Sequence, residues 1–384
     1  MKKILHIPNY YYPHIGGIEQ TAGDCVSALA GEDVEQRVFC FNHEKGTVTD
    51  EVNGVPVTRV GCFAKIASQS LSAHYGKELK KMMEEFDPDV VVFHHPNPFG
   101  VHYLMKCIGK TRKLVVYYHL DITKQKILRL FFRGQTSRLL DRADMIVATS
   151  MNYIEDSPYL SRRRDKCVAV PSCINEDRLR VSEETERLAE EYRRENAGKK
   201  VCFAFGRHVP YKGLTYLVRA ARALPDDYVV YIGGKGPLTD KLKREARNDK
   251  KVVFLGRLSD EELKARFMTC DVFCFPSITK NEAFGLGLAE AMYFGKPAAT
   301  FTIKGSGVNY VCPNGETGIE SPNRDVDAYA AALKRLCEDD ELRARMGRAA
   351  HERVAENFTY AGYVPVMRKE MTVLCGGAAH EDMS

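Results

Sequence analysis

Short apolar runs alternate with amphipathic stretches along almost the entire chain. The apolar runs are too short to be helices and predict strands at 3–8, 36–41, 55–60, 89–94, 114–119, 144–149 and 167–171. The spacing of apolar residues between these runs predicts helices, which include 18–30, 72–86, 124–142 and 151–159. Strands and helices that alternate in this way are typical of a doubly wound parallel sheet.

A second series of the same kind follows a highly charged stretch at 175–200. The charge of this stretch predicts a solvated helix and the hinge between two domains. Beyond it we predict strands at 200–205, 228–233, 252–255, 271–276 and 296–302, and helices at 326–336, 341–358 and 360–374. We therefore expect an α/β protein in which two Rossmann-like, doubly wound parallel-sheet domains face each other across a cleft.

The expected domain boundaries follow from the same pattern. The first domain is predicted at 1–178 and the second at 179–358, and a C-terminal helix within 359–384 is predicted to pack back on the first domain. A chain of 384 residues is long enough to bury two separate cores.

Charge and cysteine usage exclude several classes of protein. The 56 basic residues nearly balance the 51 acidic ones, which argues against a dedicated nucleic-acid-binding protein. The twelve cysteines include no Cys-x-x-Cys pair, so we expect reduced, buried thiols in a cytoplasmic protein. No apolar stretch approaches the ~20 residues of a membrane span, so attachment to a membrane would be peripheral, at the inner face of the cell membrane.

The most informative motif follows the predicted strand at 271–276. Glu282 and Glu290 flank a glycine-interrupted turn that opens an otherwise apolar helix. The free backbone amides at this helix start predict an anion site, formed by Phe284, Gly285 and Leu286. The two carboxylates are candidate acceptors for sugar hydroxyls, and an acid–base pair is the alternative interpretation.

The loop after the predicted strand at 200–205 carries Arg207 and Lys212. A guanidinium and an ammonium group on one short loop, at the carboxyl end of a strand, predict a clamp for a diphosphate. A solvated basic turn is the simpler alternative.

Three other segments are weaker candidates for ligand binding. Gly16 and Gly17 follow the first strand and open a helix, which predicts a phosphate cradle of backbone amides or else a plain turn. Gly234 follows another strand and lets a ligand approach the backbone closely. Arg257 and Leu258 follow the next strand, where they would offer backbone groups to a nucleobase.

Two features of the first half complete the list of candidates. His119 ends a predicted strand, where it would meet a substrate in the cleft, although isolated histidines are often structural. The helix predicted at 124–142 is basic and amphipathic. It would either lie on an anionic membrane surface or pack its apolar side on the sheet.

Together these motifs resemble the retaining glycosyltransferases of family 4, which have the two-domain GT-B fold. The resemblance covers nearly the whole chain, and its most specific part is Glu282…Glu290, which looks like the E-x7-E signature of the family. Further typical motifs are Gly206-Arg207…Lys212-Gly213, Pro13…Gly16-Gly17…Glu19 and Asn314-Gly315-Glu316-Thr317-Gly318. The stretch at 119–126 is similar to a subgroup that builds bacterial O-antigens and capsules.

The resemblance implies roles for the residues of the second domain. Arg207 and Lys212 would hold the diphosphate of the donor and stabilise the leaving nucleotide. Glu290 would accept hydrogen bonds from the ribose hydroxyls. Glu282, with the amides that follow it, would bind the transferred sugar and its phosphate.

It implies further roles for the first domain, which would hold the acceptor. Gly16 and Gly17 would complete the phosphate cradle. His119 would lie near the sugar, with its backbone carbonyl close to the positive charge that develops at the anomeric carbon.

The expected reaction is therefore transfer of a hexose from a GDP- or UDP-sugar to a hydroxyl group, with retention at the anomeric carbon. The acceptor would be a glycan or a lipid-linked acceptor of cell-surface polysaccharide synthesis. No Asp-x-Asp cluster lies in the candidate loops, so we expect no metal and no other cofactor, because cations and helix amides can stabilise the leaving phosphate. The alternatives are a nucleotide-sugar epimerase on the same fold and a non-catalytic nucleotide-binding subunit. The sequence leaves the sugar and the oligomeric state open.

Overall fold

The chain forms two compact units in a computed structural model that describes residues 1–13, 16–66, 69–121, 126–247 and 249–376. One unit comprises Met1–Cys173 together with Ala361–Ser384, and the other comprises Ile174–Tyr360. Each unit has its own largely parallel sheet with helices in the connections, so the predicted α/β class with two Rossmann-like units is confirmed. None of the twelve cysteines forms a disulfide; eight are buried and four are partly exposed.

The sheet of the first unit contains eight of the described strands. The strands in chain order are β1 (Lys2–Ile7), β2 (Val34–Phe41), β3 (Val48–Val52), β4 (Val55–Val60), the small hairpin β5 (Ala64–Ile66) and β6 (Gln69–Leu71), β7 (Val90–His95), β8 (Lys113–Tyr118), β9 (Met145–Ala148) and β10 (Cys167–Ala169). The sheet order is β10-β9-β8-β7-β1-β2-β4-β3, and only the edge pair β3 and β4 is antiparallel.

The first unit contains elements that the hydrophobic pattern does not predict, among them one helix and one strand. The helices are α1 (Gly17–Ala28), α2 (Tyr75–Glu85), α3 (Pro98–Cys107), α4 (Lys126–Arg142) and α5 (Met151–Asp156), with a 3₁₀ segment at Ser161–Lys166. Helix α3 is not predicted, although the sequence specifies its start well. The Asn97 side chain caps the helix by accepting a hydrogen bond from the Gly100 amide at 2.8 Å, and Pro98 occupies the first helical position. Strand β3 is missed because it is mostly exposed and carries no apolar alternation.

The second unit has a six-stranded, fully parallel sheet within the described residues. Its strands are β11 (Lys200–Phe205), β12 (Tyr228–Gly233), β13 (Val252–Gly256), β14 (Val272–Phe275), β15 (Ala298–Phe301) and β16 (Gly318–Ser321). Its helices are α6 (Glu183–Glu195), α7 (Leu214–Ala221), α8 (Thr239–Ala246), α9 (Asp260–Thr269), α10 (Leu286–Tyr293), α11 (Val308–Val311), α12 (Val326–Glu338) and α13 (Asp340–Asn357), with a 3₁₀ turn at Pro210–Lys212. The sheet order, β13-β12-β11-β14-β15-β16, is that of a Rossmann fold.

The charged stretch at 175–200 forms helix α6, but this helix is not simply solvated. Ser182 caps its start, since its hydroxyl accepts a hydrogen bond from the Thr185 amide. Ala189 and Tyr192 on α6 pack against Ala265 on α9 in a small apolar cluster. The helix is thereby fixed to the body of the second unit.

The last helix, α14 (Tyr360–Leu374), coincides with the predicted segment at 360–374. Its buried face includes Tyr363, Met367 and Met371. The guanidinium group of Arg368 donates hydrogen bonds to the carbonyls of Ala28 and Ala30, at the end of α1. These contacts attach α14 to the first unit.

The strand order of the second sheet determines where a ligand can enter. Strands β12 and β13 lie on one side of β11, and β14, β15 and β16 lie on the other. The connections therefore leave the sheet in opposite directions from β11 and β14, and a crevice opens between the carboxyl ends of these two strands. The Arg207–Lys212 loop follows β11 and the Glu282 loop follows β14, so both predicted loops lie at this crevice.

Close packing between these two loops depends on Gly213. Its φ angle of +64° favours glycine, and a Cβ atom at this position would lie 1.9 Å from the carbonyl oxygen of Pro276. Beside this contact, the Ile278 amide donates a hydrogen bond to the Tyr211 carbonyl at 2.9 Å. The absence of a side chain at Gly213 therefore sets the separation of the two loops.

Four buried histidines line strands at the centre of the first sheet. Burial lowers the pKa of His6 and of His95 to about 4 and that of His119 to about 3, and it lowers the pKa of His94 well below its usual value. The Nε2 atom of His6 hydrogen-bonds to Oε1 of Gln36 at 2.8 Å. All four rings are therefore uncharged at neutral pH.

These histidines predict a loss of stability in mild acid. The unfolded chain takes up a proton at each histidine near pH 6.5, whereas the folded chain does not until about pH 4 or below, so the free energy of unfolding falls as the pH drops below 6.5. Each histidine contributes up to about 1.4 kcal/mol per pH unit to the slope of the unfolding free energy against pH. Urea unfolding between pH 7.5 and 5.5 measures the slope. His6→Asn should make it shallower and His102→Asn, at an exposed position, should not; equal slopes in all three proteins would contradict the assignment.

Gly213→Ala should lower the unfolding free energy by more than the cost of placing alanine in a left-handed backbone conformation. Gly315 provides the matched control, because its φ is +80° and a Cβ atom there meets no neighbour. Gly315→Ala should cost about 1–2 kcal/mol of unfolding free energy, and Gly213→Ala about 1–3 kcal/mol more because of overpacking against Pro276. Urea unfolding of both variants tests this, and equal losses would show that the loop contact is unimportant.

Candidate active site

The two loops at the crevice of the second unit are joined by an ion pair. The Nζ atom of Lys212 lies 2.5 Å from Oε2 of Glu282, and the two side chains are only 18% and 12% exposed. The Ser277 hydroxyl donates a second hydrogen bond to Oε2 at 3.1 Å. The Ser306 hydroxyl donates to the backbone carbonyl of Glu282 at 2.5 Å and holds the loop itself. The structure thus brings together two of the predicted residues, Lys212 and Glu282.

Aromatic rings complete the surroundings of the Lys212 ammonium group. Its Nζ atom lies 4.8 Å from the ring centre of Phe275 and 5.8 Å from that of Tyr211. The negative faces of the rings stabilise the ammonium charge, which is screened from water on these sides. Arg207, on the same loop, has an exposed side chain.

The helix that follows Glu282 begins one residue later than the motif predicts. Gly285, with φ of +98°, is the N-cap residue of α10, and Leu286 is the first residue of the helix. The amides of Leu286 and Gly287 therefore have no acceptor within the helix and form the anion site of its first turn. The predicted amide of Phe284 precedes this turn, and its ring is buried against Phe358.

Glu290 lies in the second turn of α10 and is almost fully buried. Burial raises the pKa of its carboxyl group, and the nearby Arg178 guanidinium opposes this rise. The Nη2 atom of Arg178 lies 2.7 Å from Oε1 of Glu290. Sequence reasoning missed Arg178, because it lies 112 positions away along the chain and no spacing connects it with the glutamate. The only available signal was that a carboxylate on an apolar helix requires a cation.

The remaining candidates of the second unit lie on neighbouring strand ends. Gly234 has φ of +101°, and a Cβ atom there would lie 2.0 Å from the Gly206 carbonyl oxygen, so close packing of two loops already requires this glycine. His208 was not predicted but fixes the same loops, since its backbone bonds to Lys235 and Leu238. At the end of β13, Arg257 is exposed and Leu258 is half-buried.

The candidates of the first unit lie at the carboxyl ends of its strands. His119 directly follows β8, and its Nε2 atom lies 2.9 Å from Nδ1 of the buried His94. Gly16 is the N-cap residue of α1 in an extended conformation, and Gly17 begins the helix. Asp121 is buried and accepts hydrogen bonds from the hydroxyls of Tyr118 and Ser157, which indicates a structural position.

The predicted basic helix is observed from Lys126 to Arg142, and the first residues of the prediction, Lys124 and Gln125, lie outside the described residues. None of the helices in the described ranges is long and apolar enough to cross a membrane. In the same ranges, His, Cys, Asp and Glu side chains form no group of three that could hold a metal ion.

Family models match both halves of the chain. Residues 15–178 match the model of Glycosyltransferase Family 4, and residues 187–353 match the model of Glycosyl transferases group 1. Since the two matches meet near the boundary between the structural units, each unit corresponds to one family model.

Individual relatives extend over almost the whole chain. The O-antigen chain mannosyltransferase C of Escherichia coli is 33% identical over 364 residues, which cover 93% of this chain and 94% of the relative. The D-rhamnosyltransferase WbpZ of Pseudomonas aeruginosa is 32% identical, with 93% and 92% covered. Among solved structures, the sucrose-phosphate synthase of Thermosynechococcus elongatus has the same fold, with a TM-score of 0.78, 17% identity, and 98% and 100% of the two chains covered. The architecture, the loops at the crevice and these matches together show that the chain belongs to the glycosyltransferases of family 4, with the GT-B fold.

Proposed function

We propose that the protein is a retaining hexosyltransferase of cell-surface polysaccharide synthesis. It would move a hexose from a nucleoside-diphosphate sugar to a hydroxyl of a glycan or lipid-linked acceptor. The names of the two relatives, a mannosyltransferase of the O-antigen chain and a D-rhamnosyltransferase, support a mannose-type sugar and this kind of product. A GDP-mannose-like donor is therefore our first choice, and a UDP-hexose the second.

The observation that carries the proposal is the arrangement of charge at the crevice between β11 and β14. Lys212 and Glu282 form a largely buried ion pair near the first turn of α10. Packing of the apolar core does not by itself explain charged residues at this place. A site with a cation, a carboxylate and free helix amides suits a ligand that has both phosphate and hydroxyl groups.

Each charged group has a proposed contact on the donor. Lys212 and Arg207 would bind the diphosphate, and the phosphate charge would replace Glu282 as the partner of the ammonium group. Glu282 would then be available to accept hydrogen bonds from the hydroxyls of the sugar. Glu290 would accept a hydrogen bond from the ribose.

The rate of transfer would depend on stabilisation of the leaving nucleotide. As the bond from the anomeric carbon to the phosphate oxygen breaks, negative charge grows on the diphosphate, where Lys212, Arg207 and the amides of α10 would stabilise it. The same phosphate would help to take the proton from the acceptor hydroxyl, which attacks from the same face and gives retention. We propose that no metal ion is needed, because these groups supply the positive charge.

The first unit would contribute uncharged contacts and the acceptor site. His119 would contact the sugar, and Gly16 and Gly17 the phosphates. The basic helix α4 (Lys126–Arg142) would hold the enzyme at the inner face of an anionic membrane, where a lipid-linked acceptor resides. An epimerase is less well supported, because a histidine with a pKa of about 3 is a weak base and His119 was the only candidate partner for proton transfer.

The donor site predicts nucleotide binding without metal. In a thermal-shift screen with EDTA, GDP or UDP should raise the melting temperature, because a ligand bound only by the folded state stabilises it. Glu290→Gln should lose most of this shift, whereas Glu341→Gln, at an exposed position, should keep it. A shift that appeared only with Mg²⁺ would overturn the metal-free proposal. No shift with any nucleoside diphosphate would overturn the donor site.

Lys212 should be required for turnover more than for folding. Lys212→Ala should lower kcat by about a hundredfold to a thousandfold, the usual cost of removing one group that stabilises developing negative charge. Transfer of radiolabelled hexose to lipid-linked glycans, extracted from cells that make the protein, measures the rate. Lys241→Ala removes an exposed lysine of α8 and should have wild-type kcat. Unchanged turnover in Lys212→Ala would remove this residue from the mechanism.

A further inference from the structure

Arg178 contacts Glu290, the residue that is proposed to bind the ribose. Its Nη2 atom lies 2.7 Å from Oε1 of Glu290, whose side chain is 7% exposed, while the Arg178 side chain is 33% exposed. No other hydrogen bond to the Glu290 carboxylate is formed within the part of the chain that the structure describes. Oε1 is therefore taken by the guanidinium group, and Oε2 is left for a ligand.

The segment that carries Arg178 is held in place by its own contacts within the second unit. The Arg178 amide donates a hydrogen bond to the Asn175 side chain at 3.1 Å, and the Ile174 amide donates to the Phe358 carbonyl at 2.8 Å. Leu179, the next residue, is buried in the core. The backbone that carries the guanidinium group is thus fixed by hydrogen bonds and by packing in the core.

Glu290 needs such a partner because its surroundings oppose ionisation. Its neighbours on α10, which include Ala289, Ala291 and Met292, are fully buried and apolar. Asp260, at the start of α9, adds a like charge that also disfavours the carboxylate. A protonated Glu290 would lose acceptor capacity toward a hydroxyl group. The Arg178 guanidinium is the charge that opposes these two effects.

We propose that Arg178 is a positioning residue for the donor. By bonding to Oε1 it keeps Glu290 ionised and oriented, so that Oε2 accepts a hydrogen bond from a ribose hydroxyl of the nucleoside diphosphate. This inference rests on the proposed function, because it takes the ribose as the ligand of Glu290. Arg178 itself does not touch the nucleotide in this arrangement.

A double-variant experiment separates this role from direct binding. Isothermal titration calorimetry with GDP and with UDP would be applied to the wild type, Arg178→Gln, Glu290→Gln and the combined variant, between pH 5.5 and 8.5. Arg178→Lys tests whether a retained positive charge restores the affinity for the nucleotide. Arg180→Gln is the matched control, since Arg180 is an exposed arginine two positions away that pairs with Asp177 on the surface.

The expected results follow from charge and geometry. At pH 7, Arg178→Gln should weaken binding of the nucleotide by about tenfold to a hundredfold, the range for one hydrogen bond to a charged group. Its affinity should fall further as the pH decreases, because Glu290 without its cation takes up a proton more readily. The affinity of Glu290→Gln should not vary in this way. The combined variant should bind no more weakly than Glu290→Gln, because Arg178 acts through Glu290.

Several outcomes would overturn the inference. Losses that add in the combined variant would mean that Arg178 contacts the ligand directly, and a wild-type affinity in Arg178→Gln would mean that it has no role. Because Arg178→Gln leaves a buried carboxylate unpaired, it can impair folding. The combined variant and Arg178→Lys do not leave this carboxylate unpaired. If Arg178→Gln does not fold, the affinities of these two variants test the inference. Wild-type affinity in Glu290→Gln would instead refute the ribose assignment in the proposed function, and no binding by the wild type would refute the donor site.

Discussion

A carboxylate can remain ionised within an apolar helix only if a cation lies against it, and this requirement shapes the second unit. Helix α10 is buried against the core, yet it carries Glu290 in its second turn and begins four positions after Glu282. Each carboxylate has its own cation, Arg178 for Glu290 and Lys212 for Glu282. Because these cations come from different segments, the Arg178 pair connects the start of the unit to α10, and the Lys212 pair connects the loop after β11 to the loop before α10. The two pairs thus define the candidate site.

The two units differ in how they present polar groups at the carboxyl ends of their strands. The second unit has charged pairs beside free helix amides, which suits a diphosphate. At the corresponding end of the first sheet, His94 and His119 are bonded to each other and uncharged, and the Tyr117 ring stacks on both. Uncharged rings with hydrogen-bonding capacity suit hydroxyl groups. This difference agrees with binding of a charged diphosphate by the second unit.

The sequence predicts the alternating strands and helices well, because buried parallel strands appear as short apolar runs with little ambiguity. Predicted and observed strands differ at their ends by one or two residues in most cases, as for 271–276 and Val272–Phe275. Pattern reasoning fails where burial is weak, as in the exposed strand β3. It also fails where the contact is distant along the chain, as between Arg178 and Glu290. The glycine motifs were harder to interpret, since Gly213 and Gly234 are both required by loop packing whether or not a ligand is bound.

The most direct test of this account is a structure of the protein determined with a bound nucleoside diphosphate. The account predicts that the diphosphate lies against Lys212, Arg207 and the first turn of α10, with the Lys212–Glu282 contact replaced by a phosphate. A ribose hydroxyl should lie within hydrogen-bonding distance of Oε2 of Glu290, while Arg178 keeps its contact with Oε1. A nucleotide bound away from the crevice between β11 and β14, or a ribose that does not reach Glu290, would contradict it.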